Sequence, residues 1–521
     1  MEGANCKPLR ILSEKLKNVK QSCSEACIFK VHERLRRANP EAYTPSTISI
    51  GPYHHGKPEL RKMERLKELY TQYFLERRAG VDVEECWKQL KGLERAERYY
   101  GDEIEKEVSG DEFVKMLMLD GCFIVEFVIR SYQFVQGQQC EDNDPINKMI
   151  SRMEERYIVS DMLLLENQLP FLVLQALYDM ISKPPDSLEF SEMVKSAFWN
   201  EIPKMNIISL LNTQVNRQDI KHLLQLVHIL CLPQPQNNGQ IQQQKAACSS
   251  SSCCFWKQPQ GQGQGGSRSD IEPQPHNPSN GQYRRMFGEQ PQGGARCFDI
   301  ESNRRKFFTC FLGKFWGQPQ QSKDDDQELF SSIRTASELH EAGVHFKKIG
   351  NIKSISYEKT ISLFDINFNH GVLEIPSFVL YDSTETFFRN LIAYEQHSPD
   401  VHPKHFTDYA VFMDNLINTE KDVNLLRLKD VFINGLGDDK EVTHLFNNLR
   451  KGVVCYIDNF YYKDVSKELS IHCKKPRNVL MAKLRRDYFH SPWAGISTFA
   501  AIMLLTLAIA QTILSALQLH K

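Results

Sequence analysis

Between Ser491 and Leu519 the chain carries no charged side chain, and its central stretch Ala494–Leu517 (AGISTFAAIMLLTLAIAQTILSAL) is 24 residues long. At about 1.5 Å of rise per residue this is roughly 36 Å of helix, enough for a hydrocarbon layer about 30 Å thick. A helix apolar on every side has no solvated face to keep in water, so the sequence predicts one membrane span over 494–517. Trp493 stands where an interfacial aromatic belongs, and Ala494 and Leu517 bound the span. Before it, Lys474, Lys475, Arg477, Lys483, Arg485 and Arg486 form a basic flank with no acidic residue among them; beyond it only Lys521 is basic. That asymmetry predicts a tail-anchored chain with its large N-terminal part on the cytosolic side. The basic flank is expected to add attraction to anionic lipid. Ser497, Thr498, Thr506, Gln511 and Thr512 offer polar groups for pairing with a second helix, so a homo-oligomer stays open.

The first twenty residues, MEGANCKPLRILSEKLKNVK, hold no apolar run of the kind a targeting signal needs, and Glu2 rather than glycine follows the initiator Met, which does not suit myristoylation. With Lys+Arg 64 against Asp+Glu 65 there is no global basic field to attract nucleic acid. The 14 cysteines show no paired CxxC spacing, so neither zinc nor another metal is expected, and reduced thiols are the simplest expectation. No asparagine opens a usable glycosylation sequon, Asn277-Pro278-Ser279 being blocked by its proline; this too favours a cytosolic body.

The periodicity is largely helical. Lys62–Arg77 sets Met63, Leu66, Tyr70, Tyr73 and Phe74 on one face with charges opposite, and Glu112–Arg130 is apolar enough for a central helix. Asp161–Leu169 and Pro170–Met180 read as two apolar helical segments broken at Pro170, with the proline in the first turn of the second. From Pro233 to about Lys323 the chain turns into Gln/Gly/Pro/Ser-rich low complexity, expected to be a disordered insert. Ser331–Gly343 reads as a helix, and Lys359–Phe368 and Val372–Leu380 as strands joined through Asn369-His370-Gly371, with Pro376 placing the second strand at an edge or bulge. Phe406–Asn418 and Lys440–Arg450 read as further helices. The expected fold is mainly α, an α+β body with a small antiparallel hairpin or sheet plus one C-terminal transmembrane helix. Its parts are a tail (1–27), a helical first half (28–232), the insert (233–328), a second half with the hairpin (329–473), a basic juxtamembrane segment (474–493) and the span (494–517).

Several segments carry a resemblance: IFKVHERLRRANPEAYTPSTISIGPYHHGKPELRKMERLK, MLMLDGCFIVEFV, DMLLLENQLPFLVLQALY, ASELHEAGVHFKK, LEIPSFVLYDSTETFFRNLIAYEQ and YAVFMDNLINTEKDVNLL, followed by the C-terminal apolar helix. Together they resemble the plant DUF247 family, also called UPF0481, from about Ile28 to the end without the insert. The resemblance implies a plant source, a mostly helical fold closed by both halves of the chain, and no assigned enzymatic activity.

No GxSxG, P-loop or kinase set is present, and in His340-Glu341 the residue that would complete HExxH is Val344. His345 lies five positions from His340, about 140° around a helix, so the two do not share a metal from one helical face. The GQGQGG run from Gly261 has no strand before it or helix after it to make a dinucleotide fold. Tyr53-His54-His55-Gly56 reads as a turn whose imidazoles bond to backbone, Glu166-Asn167-Gln168 as polar groups capping the helix at Pro170, and Lys30, Arg34, Arg36 and Arg37 as a solvated basic cluster. Cys248, Cys253 and Cys254 are weighed as acylation sites and set aside. The expected function is therefore non-enzymatic: a membrane-held helical body that recognises or scaffolds unidentified protein partners, with no catalytic residue and no cofactor. The alternatives are an enzyme assembled from Asp120, Glu166, His54 and His340, and an extracellular-facing recognition protein with disulfides among Cys23, Cys27, Cys86 and Cys140.

Overall fold

The computed structural model describes residues 26–101, 104, 108–138, 144–182, 188–198, 219–233, 333–350, 361–488 and 492–519. Contacts group Met1–Gln234 with Asp324–Lys521 as one unit; residues 235–323, which hold the Gln/Gly/Pro-rich run, lie outside the described residues, as do Cys6, Cys23, Cys140, Cys248, Cys253, Cys254, Cys297 and Cys310.

The first half supplies α1 (Glu64–Glu76), α2 (Val83–Lys91), α3 (Asp111–Val135), α4 (Arg152–Met162), α5 (Phe171–Ile181), α6 (Phe190–Phe198) and α7 (Leu223–Cys231). The second half supplies α8 (Ala336–Glu341), β1 (His345–Ile349), β2 (Asn367–Asn369), β3 (Val372–Pro376), β4 (Phe378–Leu380), α9 (Ser383–His397), α10 (His405–Leu416), α11 (Glu420–Arg427), β5 (Phe432–Asn434), α12 (Asp439–Leu449), α13 (Lys463–Lys474), α14 (Pro476–Tyr488) and α15 (Pro492–Leu519). The body is mostly helical with little sheet, as the sequence predicts.

Helix α3 is the hub. Acidic Asp111 and Glu112 sit in its first turn, where the helix dipole favours them, and from Phe113 to Ile129 most side chains are buried on every side. It is enclosed by α1, α2, α5 and α6. Asp120-Gly121-Cys122 does not interrupt it. Gly121 is instead a close-packing point, since a Cβ there would stand 2.5 Å from Leu177 Cδ1 of α5.

The sheet differs from expectation: of Lys359–Phe368, read as one strand, the described residues form strand only from Asn367, and Val372–Leu380 divides into two strands. The hairpin forms, with Asn369 opposite Val372 and His370 and Gly371 at φ of 50° and 85°, the positive pair a tight two-residue turn requires. However, β3 is the central strand of a β1-β3-β2 sheet, running parallel to β1 and antiparallel to β2. Pro376 is tolerated because it ends β3 beyond the reach of β2, whose pairing stops at Glu374. The chain then leaves for a separate parallel pair, β4 with β5.

The segment Asp161–Leu169, expected to be helical, is not. Helix α4 ends at Met162 and residues 163–170 run without regular structure to α5. These residues are nonetheless buried, from Leu163 to Pro170. A run of apolar residues fits a buried loop as well as a buried helix, so periodicity alone does not separate them. Pro170 is the N-cap of α5 rather than part of its first turn.

The two halves interlock through α9. It packs on Glu41–Tyr43, α4 and α7 of the first half and on α10 and α12 of the second. Asn390 accepts from the Leu165 N–H at 2.9 Å and donates to the Ala42 carbonyl at 2.7 Å, tying two irregular segments of the first half to a helix of the second. Asn390→Ala strands a buried donor and a buried acceptor at once, at about 1–3 kcal/mol each. We expect a loss of about 2–4 kcal/mol in denaturant unfolding in detergent. Far-UV circular dichroism and tryptophan fluorescence should fall together, because neither half is closed without the other.

Candidate functional site

Two regions hold the residues that the sequence marks: a buried polar network under the loop 163–170, and the C-terminal helices.

The network exists because the loop 163–170 and the segment 48–51 are buried without helix or strand, and their N–H groups, with those of the adjoining Ser46 and Thr47, need acceptors. Asp161 takes three of them: its carboxylate accepts from Ser46 (3.1 Å), Thr47 (2.6 Å) and Ile48 (2.9 Å). Asn167 accepts from Ile50 at 2.6 Å and donates to the Ile48 and Asp161 carbonyls, both at 3.0 Å. Asp120 accepts from Gly51 at 2.9 Å. Gly51 is needed there: its φ is 72°, and a Cβ would meet the Gln168 carbonyl oxygen at 2.5 Å. Gln168 accepts from the Leu224 N–H at 3.0 Å and donates to the Met162 and Leu164 carbonyls.

Glu166-Asn167-Gln168 therefore does not cap α5, which has no side-chain cap. The first turn is served instead by the Lys221 carbonyl, which accepts from the Phe171 N–H at 2.7 Å. Glu166 accepts from Val31 N–H and Arg36, and its Oε2 lies 3.3 Å from His54 Nε2. Burial works to raise its pKa, but His54, the Val31 N–H and Arg36 outweigh it and hold the carboxyl below its usual range. Burial lowers the His54 pKa, against the pull of Glu166. The imidazole meets side chains, Glu166 on one nitrogen and Lys57 at 2.8 Å on the other, not the expected backbone. Nor is the N-terminal basic cluster wholly solvated: Arg36 is turned inward to Glu166 and Lys30 lies over the Tyr53 ring, while Arg37 pairs with Glu33 at the surface.

Lys67 corrects the reading of α1. Charges were expected opposite the apolar face, yet this lysine lies on the buried face, 2.7 Å from Asp120 and 2.7 Å from Glu64. Burial disfavours its charge, but Asp120 and Glu64 overcome that and hold its pKa above the ordinary value. The buried lysine answers the carboxylate on the hub helix, which has no water to turn to. Further along α3, Glu126 is matched in the same way by Arg130 at 2.8 Å and by Arg77.

Of the four residues proposed for an unfamiliar enzyme site, only His54 and Glu166 meet. Asp120 is engaged by Lys67 and Gly51, and His340 lies on α8 of the second half. His345 stands on a strand, not on the helix of His340. Among the described residues no group of three or more His, Cys, Asp or Glu side chains is placed to hold a metal ion. The described cysteines Cys27, Cys86, Cys122, Cys231, Cys455 and Cys473 are all free thiols.

Sequence reasoning missed a second polar cluster, where α7, α9 and α10 meet. His228 Nε2 lies 2.9 Å from Glu395 Oε1, and the Glu395 carboxylate also accepts from the N–H groups of Phe406 (3.0 Å) and Thr407 (2.8 Å) at the start of α10. The only signal in the sequence was a histidine in an apolar helix and a glutamate 167 residues further on. Beside them the His405 ring packs at a tilt against Phe364 and Tyr461.

At the C-terminus the predicted residues are laid out on helices. Lys474 ends α13, Lys475 follows it, and Arg477 and Lys483 lie on α14; all four are exposed. Arg485 and Arg486 continue α14. Trp493 lies in the first turn of α15 with 80% of its surface exposed, and Ala494 and Leu517 fall within that helix. Along α15, Ile496–Ser515 has a mean hydropathy of 1.9 and none of it is buried in the molecule.

The titration of His405 gives a testable consequence. Burial, opposed by Glu395 and assisted by His228, lowers its pKa from the ordinary 6.5 to about 4. Between those values the unfolded chain binds the proton and the folded chain does not. The stability held by neutral His405 is therefore complete above about pH 6.5 and is lost as pH falls toward 4. Asp161 and Asp408, raised to about 6 by burial, act in the opposite sense but equally in any variant that keeps them. We expect the parent to lose about 2 kcal/mol more than His405→Gln between pH 7 and pH 5, read from urea unfolding at each pH.

The DUF247 family, described as a plant protein of unknown function, matches residues 28–507 of the chain. Among curated proteins, a UPF0481 protein of Arabidopsis thaliana is 29% identical over 95% of this chain and 86% of its own length. A second UPF0481 protein of the same plant is 25% identical over 93% of this chain and 89% of its own. No solved structure matches the chain.

Proposed function

This chain belongs to the DUF247 family of plant proteins, and because the family match runs on to residue 507, inside α15, we propose that it works as a membrane-anchored recognition or scaffold protein. One observation carries this reading. The body buries most of its apolar side chains in a continuous core, whereas α15 leaves Ile496, Phe499, Leu504, Leu505, Leu507 and Leu514 each more than half exposed along one helix. An apolar surface of that extent on a 28-residue helix has no place in water, and its length suits a bilayer core.

The side of the membrane follows from charge. The exposed cations Lys474, Lys475, Arg477 and Lys483 precede the span, which favours a body on the cytosolic side. Buried free thiols at Cys27 and Cys86 agree with a reducing compartment.

The non-enzymatic part of the reading rests on occupied acceptors. Asp120, Asp161, Glu166 and Glu395 spend their oxygens on backbone N–H groups and buried cations. A general acid or base needs an oxygen open to substrate. Recognition would then fall to the surface of the helical body, with protein partners on the same side of the membrane.

Two measurements test this. Deleting Ala494–Leu517 should move the protein from the membrane to the soluble fraction, and unchanged membrane association after carbonate extraction would sink the anchor. For an N-terminally tagged chain in sealed membranes, protease added on the cytosolic face should remove the tag. A protected tag would place the body on the other side and reverse the charge argument.

A further inference from the structure

Helix α14 is part of the folded body and also the last helix before the apolar one. Its Ala482 packs against the core, it lies against α8 and α13, and Asn478 Nδ2 donates to the His472 carbonyl of α13 at 2.7 Å. Between Tyr488, the end of α14, and Pro492, the start of α15, there are four residue steps. At no more than 3.6 Å per residue these span about 14 Å at full extension. If α15 crosses a bilayer, the end of α14 cannot be farther from the hydrocarbon edge than about the depth of one headgroup layer.

The outward faces of α13 and α14 have the composition of that layer. On α13 the exposed positions Asp464, Lys467, Glu468, Ile471 and Lys474 recur with helical spacing, and on α14 Pro476, Arg477, Leu480 and Lys483 do the same, with Lys475 between the helices. Ile471 is 53% exposed and Leu480 60% exposed, each on a face otherwise dominated by cations. Five cations against two carboxylates, Asp464 and Glu468, suit anionic headgroups, and two projecting aliphatic side chains suit the boundary beneath them.

We infer that the α13–α14 face docks on the anionic leaflet into which α15 inserts, so that the body is held in one orientation rather than swinging on a free tether. The occupant is lipid of the same membrane, because the chain itself brings this face there and the charges are complementary. Lys474, Lys475, Arg477 and Lys483 would lie among the headgroups, with Ile471 and Leu480 reaching below them. This rests on the membrane-span reading and adds an orientation to it. The surface available to partners is then the part of the body away from α13 and α14.

The test uses the full chain reconstituted in nanodiscs of phosphatidylcholine alone, or with phosphatidylserine, at one chain per disc. Lysine labelling by a water-soluble active ester is read by mass spectrometry, with the exposed Lys88 of α2 as internal reference. Lys474, Lys475 and Lys483 should label about fivefold more slowly relative to Lys88 in the anionic discs than in the neutral ones. The difference should fade in high salt and in the double variant R477E/K483E, read at Lys474 and Lys475. Two outcomes overturn the docking alone: discs that retain the chain while these lysines label equally in both lipids, and protection that appears only with two chains per disc, which would assign the face to self-association. A chain that fails to stay with discs of either composition overturns the span, and the docking with it.

Discussion

A buried stretch of backbone without helix or strand must find partners for its N–H and C=O groups, and that requirement organises the first half of this protein. Residues 46–51 run inward from the exposed Ser46 to the buried Ile48–Gly51 with no ladder to satisfy them. Three side chains take over: Asp161 for Ser46, Thr47 and Ile48, Asn167 for Ile50, and Asp120 for Gly51. Two of these acceptors lie at or beyond the end of α4 and the third on the hub helix, so the extended segment is clamped between elements that are distant in sequence. Asp120 then needs a cation, which Lys67 supplies from α1. A cost met at one position thus sets the residue type at the next.

The same economy joins the halves of the chain. Asn390 serves Leu165 and Ala42, and Glu395 serves His228 together with the first turn of α10. Each of these α9 side chains bonds to groups from both the N-terminal half and its own, or to two segments of the N-terminal half. Removing either half would strand buried donors, which is a physical reason for one cooperative body despite the long low-complexity run between Pro233 and Lys323. The site is consequently inward-looking: its polar groups hold the fold.

Some of this was legible from residues alone, and the failures are as informative as the successes. The hub helix was readable because its apolar density exceeds what a surface helix carries, and the hairpin because His370-Gly371 suits a turn with two positive φ angles. The loop 163–170 was not, since LLLENQLP is apolar enough for a helix and nothing local says otherwise. Capping by Glu166, Asn167 and Gln168 was a reasonable local solution, but these side chains reach backbone 117 and 56 residues away, as in Ile50 to Asn167 and Leu224 to Gln168. Lys67 looked like a surface charge because its partner, Asp120, lies 53 positions further on. Pro376 was placed at an edge because β1, the strand that makes β3 central, pairs with it in parallel and leaves no turn signature.

What the sequence determined by itself was the order of apolar and polar residues along the chain: the 494–517 run, its basic flank, the helical character of the body and the family to which it belongs. These depend on local composition and on motifs read in line, and hydrophobicity acts on them wherever the chain folds. Tertiary structure alone decided the roles of Asp120, Asp161, Glu166, Asn390 and Glu395. A buried carboxylate or amide has several lone pairs and protons to satisfy, and which groups satisfy them depends on which backbone segments the core brings within about 3 Å.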